Sequence, residues 1–514
     1  MIIINGNELK LDDLIQVARY NTPAALDPHA KKRMEESWCW VESINNDERP
    51  VYGINTGFGI FSDQKISRAD TATLSRNLIL SHSVGMGESL PEEVVRAAML
   101  VRANTLAKGF SGVRPIIVET FLDMLNKGVT PVVPSQGSMG SSGDLGPLSH
   151  LALVISTDKI DDEKDSGFAK FNGEVMPGKW AMAAAGINRI ILGPKEGLAL
   201  NNGATFSASI GAIVVYDAAR LYHLANISLS MTLEALQGLS AAFDSRIHQA
   251  RGQIGQIQCA EEILKLIQDS TLVNSSGRIQ DAYSLRCAPQ VHGAVLDAIE
   301  HVKKIMEREI NAATDNPLLF SQEDALSGGN FHGEPVGIAL DYLTIALAEI
   351  GAISERRVFR LTDGNLNDGL PSMLVDSQKA AGLNSGLMMP QYTAASLVLE
   401  NQTLSTPDSV HSLPTSGDQE DHNANSMTAA RHSMRVLTNC WRVIAIELFT
   451  ASRALDLRLR MKPQATVSHA IADIHGQIRK IVPYQADDRC WGQDIEKVFD
   501  LIYHAKITMP NLER

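Results

Sequence analysis

Apolar residues recur along most of this chain at intervals of three and four, and seldom alternate. Between residues 207 and 237 no proline interrupts the series Ile210, Val214, Ala218, Leu221, Ala225, Leu229, Leu233 and Leu236, which lines one face of a helix. At the helical rise per residue this segment predicts a rod roughly 45 Å long. Similar runs at about 291–313, 333–362, 384–404 and 425–460 predict a bundle of long antiparallel helices, a mainly α protein. Pro463 and Pro483 set off shorter helices at the C-terminal end.

The N-terminal part has a different texture. Met1 to Ile4 reads as a short strand closed by the turn dipeptide Asn5-Gly6. Asp12-Asp13 open a helix through Leu14, Ile15, Val17 and Ala18. Ser89 as cap, Pro91 in the first turn and Glu92-Glu93 at the positive helix end predict a second, running to Lys108-Gly109. Pro115 to Lys127 predicts a third, stopped by Gly128, and Val129 to Val133 reads as a strand. The expected division is a smaller globular region at 1–203, a central long-helix bundle at 204–462 and short helices at 463–514.

Polar, glycine-bearing stretches longer than connection requires lie between these elements, at 50–63, 76–88, 196–206, 271–290, 314–332 and 406–427. Long ordered loops in a helical protein usually carry function. The most unusual segment is Pro134-Ser135-Gln136-Gly137-Ser138-Met139-Gly140-Ser141-Ser142-Gly143-Asp144-Leu145-Gly146-Pro147, set between the Val129–Val133 run and the apolar Leu148–Val154. It lacks the Lys-Ser/Thr pair of a phosphate-binding P-loop, the flanking glycines of a nucleophile elbow and the spacing of a dinucleotide fingerprint. Glycine's unshielded amide would let Gly143 N bend back onto the Ser141 carbonyl. Loss of water there and from the Ser142 side chain would leave a five-membered ring with an exposed methylene. That is an electrophile made from the chain alone.

Composition narrows the partners. A formal net charge of −13 and the lack of a basic run argue against nucleic acid. Cys39, Cys259, Cys287, Cys440 and Cys490 have no metal-like spacing and, with no signal peptide in view, suggest a reducing cytoplasm. The uncharged run Gly197–Tyr216 is too polar to span a bilayer, and no H-E-x-x-H or C-x-x-C spacing points to a metal.

Single residues are open to two readings. Tyr52 sits among Gly53, Gly57 and Gly59, yet most tyrosines are amphipathic core residues. Gln280, Tyr283 and Arg286 are spaced to point one way; Arg286 could clamp a carboxylate or form a surface ion pair. His82 could be structural, and Gln419-Glu420-Asp421-His422 a solvated helix cap.

Taken together, eight ordered stretches resemble the histidine ammonia-lyases of the aromatic amino acid lyase family over essentially the whole chain. They are Tyr52–Gly59, Asn77–His82, Glu196–Leu200, Gln280–Cys287, Thr314–Leu318, Ser327–His332, Ser412–Ser416 and Gln419–His422, beside the glycine loop, which resembles the segment from which that family builds its ring. The resemblance implies non-oxidative elimination of ammonia from L-histidine to give trans-urocanate, by a cytoplasmic homotetramer with active sites shared between chains. It implies that Ser141, Ser142 and Gly143 cyclise to 4-methylidene-imidazol-5-one, with no external organic cofactor and no metal. Tyr52 would then take the β-proton, and Asn202 and Arg286 would hold the substrate carboxylate. Gln280 and Tyr283 would line the site, Phe331 would pack on the electrophile, and Met388 and Glu420 would face the side-chain pocket. Glu420 would also assist proton transfer.

Ser81-His82 is the histidine-type pattern; a lyase or 2,3-aminomutase for phenylalanine or tyrosine is the alternative, and an inactive helical binding protein a third reading. Tyr52 can act as base only with a phenol well below its usual pKa of about 10, for which the positive field of Arg286 and helix N-termini is the expected cause. The chain departs from the family pattern in having serine for alanine at 141, Ala204-Thr205 after Asn202-Gly203, Ala282, Ala288 and a longer segment at Asn423-Ala424-Asn425.

Overall fold

The computed structural model describes residues 1–47 and 50–510. It is predominantly helical, with short strands only, as the periodicity predicts. The chain forms two compact units: Met1–Tyr216 with Val302–Asp341 and Pro407–Arg431, and Asp217–His301 with Tyr342–Thr406 and His432–Arg514. These do not follow the consecutive regions expected at 1–203, 204–462 and 463–514. The unit boundary falls inside continuous helices, such as Thr205–Ala235, which periodicity reads as single elements.

In the first unit Ile2–Ile4 pairs in parallel with Ala24–Leu26. The helix Glu92–Ala107 is buried from Val94 to Ala107 and packs against Leu11–Tyr20 and Pro115–Lys127. Its Arg96 is buried because it caps both neighbours. Nε and Nη2 donate to Ala18 O and Val17 O at 3.1 and 2.9 Å, and Nη1 to Leu125 O at 3.2 Å. These carbonyls belong to last turns that would otherwise lack partners. Gly128, at φ +77°, ends Pro115–Lys127 where the sequence places the stop.

Two local expectations change. Ser89 is not a helix cap but the end of a strand, Met86–Ser89, paired with Pro134–Gln136; Pro91 precedes the helix instead. The Val129–Val133 run contributes only Thr130–Pro131 to a sheet, paired with Phe168–Phe171, which turns back through Asn172-Gly173 onto Glu174–Pro177. Both turn residues have positive φ, at 50° and 86°, the backbone a two-residue hairpin requires.

In the second unit the long segments pack with Ile254–Leu266, His469–Ile481 and Trp491–Tyr503. Val358, Ala394, Val398, Val443 and Ile446 form one apolar cluster. Gly255 and Gly293 let two helices touch, since a Cβ on Gly255 would lie 2.1 Å from Gly293 O. Buried Arg458 repeats the capping device, with Nε on Ala235 O at 2.8 Å. Among the described residues only Glu334–Thr362 is long and apolar enough to cross a membrane, and 61% of its most apolar window is buried within the protein.

Glu234 is fully buried in this unit and accepts from Ser468 N at 3.1 Å. Burial raises its pKa to about 7 against the pull of its Ser468 hydrogen bonds. The folded state therefore keeps a proton that the unfolded chain loses near pH 4.5, so this contribution to stability is present below about 4.5 and lost as pH rises through about 7. Glu234→Gln is expected to raise stability at pH 8 by ~1–3 kcal/mol and to change it little at pH 4. Urea unfolding at the two pH values checks this; an equal gain at both would refute the linkage.

Candidate active site

A cavity of about 1360 Å³ in the first unit is lined by Tyr52, His82, Ser141, Ser142, Asn202, Phe331 and Glu420 among others. Six segments that are far apart in sequence meet there, two of them belonging to the helices Thr71–His82 and Glu196–Asn201. The glycine-rich segment enters it just before the buried helix Leu145–Ile155.

That segment is gripped from two sides. On one, Asp144 N donates to Gly203 O at 2.9 Å and Gly203 N to Ser142 O at 3.3 Å. Asn202 Nδ2 adds a second donor to Ser142 O at 2.8 Å. Gly143 adopts φ +77°, and a Cβ there would lie 2.0 Å from Gly203 C, so no other residue fits. On the other side Ser142 Oγ donates to Glu420 Oε1 at 2.6 Å, and Ser141 Oγ to Asn423 Oδ1. Asp144 reaches past the segment to the start of the Thr205–Ala235 helix, accepting from Ser207 N at 2.9 Å and from Ser138 Oγ at 2.8 Å. Burial nevertheless pushes its carboxyl pKa up.

These residues fit a ring built from 141–143. The Ser142 carbonyl, which would become the ring carbonyl conjugated to the methylene, already receives two hydrogen bonds from Asn202 and Gly203. Asn202 Oδ1 is buried with no partner among the described residues, an acceptor beside the segment. Donors fixed on an oxygen that gains charge are the main electrostatic device of such sites.

Charge is buried beneath the cavity floor. Lys195 Nζ and Asp315 Oδ2 pair at 2.5 Å, both fully buried, and Arg102 Nε donates to Ala199 O at 2.9 Å. Burial lowers Arg102 to about 10, with Asp315 opposing. The three side chains pin the Glu196–Asn201 helix, and hence Asn202, in place.

Tyr52 lies in the cavity, but its phenol is shifted the other way from expectation. Burial raises its pKa, a backbone hydrogen bond with Gly59 pulls it down, and Glu420 and Asp315 raise it again. Arg286, the cation expected to lower it, does not line the cavity. Burial lowers the pKa of His82 below 6.5, against a backbone hydrogen bond with Leu78 and the field of Glu420. Ser81 Oγ lies 3.0 Å from His82 Nδ1.

Gln280, Tyr283, Arg286 and Met388 belong to the second unit. The first three do meet, as their spacing predicts. Arg286 lies over the Tyr283 ring at 4.6 Å and its Nε donates to Asp281 O at 2.9 Å, and the Gln280 side-chain amide, turned so that its oxygen faces the guanidinium, accepts from Arg286. Tyr283 is 70% exposed and Met388, opening the helix Met388–Leu404, is 40% exposed.

Sequence reasoning assigns nothing to Asn316, which lines the cavity and fixes the Phe331 loop by accepting from Gly328 N at 2.7 Å. It likewise passes over the Lys195–Asp315 pair, and notes Asn423 only as part of the segment Asn423-Ala424-Asn425, without a role. Asn316 and Asp315 stand in a motif noticed only as a pattern; Lys195 has no local signal.

The sequence matches the family model "Aromatic amino acid lyase" over residues 9–480. It is 48% identical over 509 residues to the histidine ammonia-lyase of Caldanaerobacter subterraneus subsp. tengcongensis, covering 98% of this chain and 97% of that protein. Among solved structures it resembles histidine ammonia-lyase from Trypanosoma cruzi, with TM-score 0.88, 36% identity and coverage of 98% and 94%. It also resembles tyrosine aminomutase from Streptomyces globisporus, with TM-score 0.91, 33% identity and coverage of 98% and 97%. The chain belongs to the aromatic amino acid lyase family.

Proposed function

We propose that this protein eliminates ammonia from L-histidine to give trans-urocanate, using a ring closed from Ser141, Ser142 and Gly143. The observation that carries the reading is the joint placement of His82, Glu420 and Ser142 around one cavity. A neutral imidazole substrate needs polar partners there, and a buried site without them would forfeit about 1–3 kcal/mol for each unmade hydrogen bond. Higher identity to histidine ammonia-lyases than to the aminomutase supports the same choice.

Ser141, Ser142 and Gly143 would hold the ring, which would supply an electrophilic methylene able to improve ammonia as a leaving group. Asn202 Nδ2 and Gly203 N hold the carbonyl of residue 142. Tyr52 Oη receives the β-proton, and Glu420 and His82 orient the imidazole. Among the described residues of one chain, the influences that shift the Tyr52 phenol are burial, Gly59, Glu420 and Asp315, with no cation among them. We place that charge in Arg286 of another copy, with Tyr283, Gln280 and Met388, in a homotetramer. The exposure of Tyr283 and Met388, and of Ile279 at 100%, supports surfaces that are covered on assembly.

Incubation of the purified protein with histidine, phenylalanine and tyrosine tests the reading. Urocanate absorbance with histidine alone is expected; cinnamate, coumarate or a β-amino acid without urocanate would sink it. His82→Leu is expected to lower kcat/KM for histidine by about 10–100-fold, the loss of one polar partner.

A further inference from the structure

We infer that Asn423 is a positioning residue for closure of the ring, acting through the Ser141 hydroxyl. The inference rests on the reading of 141–143 as a ring precursor.

Closure joins Gly143 N to the carbonyl carbon of Ser141. The carbonyl oxygen leaves as water with the hydrogens of Gly143 N and Ser142 N, forming a C=N bond. A second water leaves with the Ser142 hydroxyl and its Cα hydrogen, forming the methylidene. No oxidant is consumed. The difficult requirement is geometric: a weakly nucleophilic amide must be held against a weakly electrophilic carbonyl, so restricted motion of both ends supplies most of the rate.

The Gly143 end is fixed by Gly203 and Asn202. The Ser141 end is fixed by the segment Glu420–Asn425, which runs alongside it. Asn425 N donates to Met139 O at 2.7 Å, Ser142 Oγ donates to Glu420 Oε1 at 2.6 Å, and between them Ser141 Oγ donates to Asn423 Oδ1. Asn423 is fully buried and Ser141 is 6% exposed. The amide orientation is set independently, because Asn423 Nδ2 donates to Leu413 O and its backbone N to Ser412 Oγ at 2.9 Å. Oδ1 must then face Ser141. Ser141 and the segment 423–425 are thus in direct contact. Serine gives the amide oxygen a donor that alanine would not, and the amide gives a buried hydroxyl its acceptor.

The test compares the parent chain with Asn423→Val, Ser141→Ala and the double variant. Each is made by timed cell-free synthesis and read by intact mass, since the closed chain is lighter by two water molecules. Closure in either single variant is expected to be roughly tenfold slower, the effect of one lost hydrogen bond, and the double variant to recover most of the loss. Circular dichroism confirms folding; should Asn423→Val not fold, Ser141→Ala decides from the other side of the same bond. Single variants that close as fast as the parent overturn the role of Asn423 alone. A parent chain of full mass overturns the ring reading, and the role of Asn423 with it.

Discussion

Replacing Ser142 with alanine is expected to suppress urocanate formation by at least about 10⁴-fold, on the scale of removing the covalent group from a covalent catalyst. The side chain supplies the carbon of the methylene, so no neighbour can stand in for it. Stability should hardly change. In the uncyclised chain the hydroxyl bonds Glu420, worth about 0.5–1.5 kcal/mol, but ring closure in the parent removes that hydroxyl as well, and alanine leaves no large void. The variant should keep the parent's circular dichroism and, lacking the Ser142 hydroxyl, never reach a mass deficit of two waters. An Asn202→Ala variant provides the contrast. It retains Ser142 but removes one of two donors on its carbonyl, so a partial loss of about 10²–10³-fold is expected. Substantial turnover by Ser142→Ala would show that the reaction needs no ring.

The elements with strong periodic or punctuating signals were legible in the sequence. Pro115–Lys127 has proline at its first position and glycine just past its end, and the long helices carry uninterrupted apolar faces. The glycine loop stood out because nothing in it could feed a core. Of the site residues, Tyr52, His82, Ser141, Ser142, Asn202, Phe331 and Glu420 line one cavity. What was not legible depends on distant partners. Ser89 makes a good cap by composition, yet its backbone pairs with Pro134, 45 positions on. Arg96 and Arg458 look like surface charges until the helix ends they cap are known. The Tyr52 phenol was assigned a cationic neighbour, but its surroundings in the chain are buried and acidic. Field and burial are properties of the fold, not of the motif.

The largest effect on stability is expected at Glu447, in the second unit. Its carboxylate is fully buried and saturated with donors. Oε1 accepts from Arg357 Nε at 2.5 Å and Thr232 Oγ1 at 2.9 Å. Oε2 accepts from Arg357 Nη2 at 2.8 Å, Ser228 at 2.9 Å and Ser354 at 2.6 Å. Such a pair need not stabilise the fold relative to apolar residues, because desolvation offsets the attraction. Breaking it is another matter. Glu447→Ala leaves a buried guanidinium and three buried hydroxyls without their acceptor, and should cost ~3–5 kcal/mol. Arg357→Met should cost a similar amount, by stranding the carboxylate. The double variant Arg357→Met/Glu447→Leu removes both charges and should be less destabilised than either single change. Urea unfolding of the three variants decides the matter. Additive losses would mean that the two charges contribute separately, and that the network is held by its hydroxyl donors rather than by the ion pair.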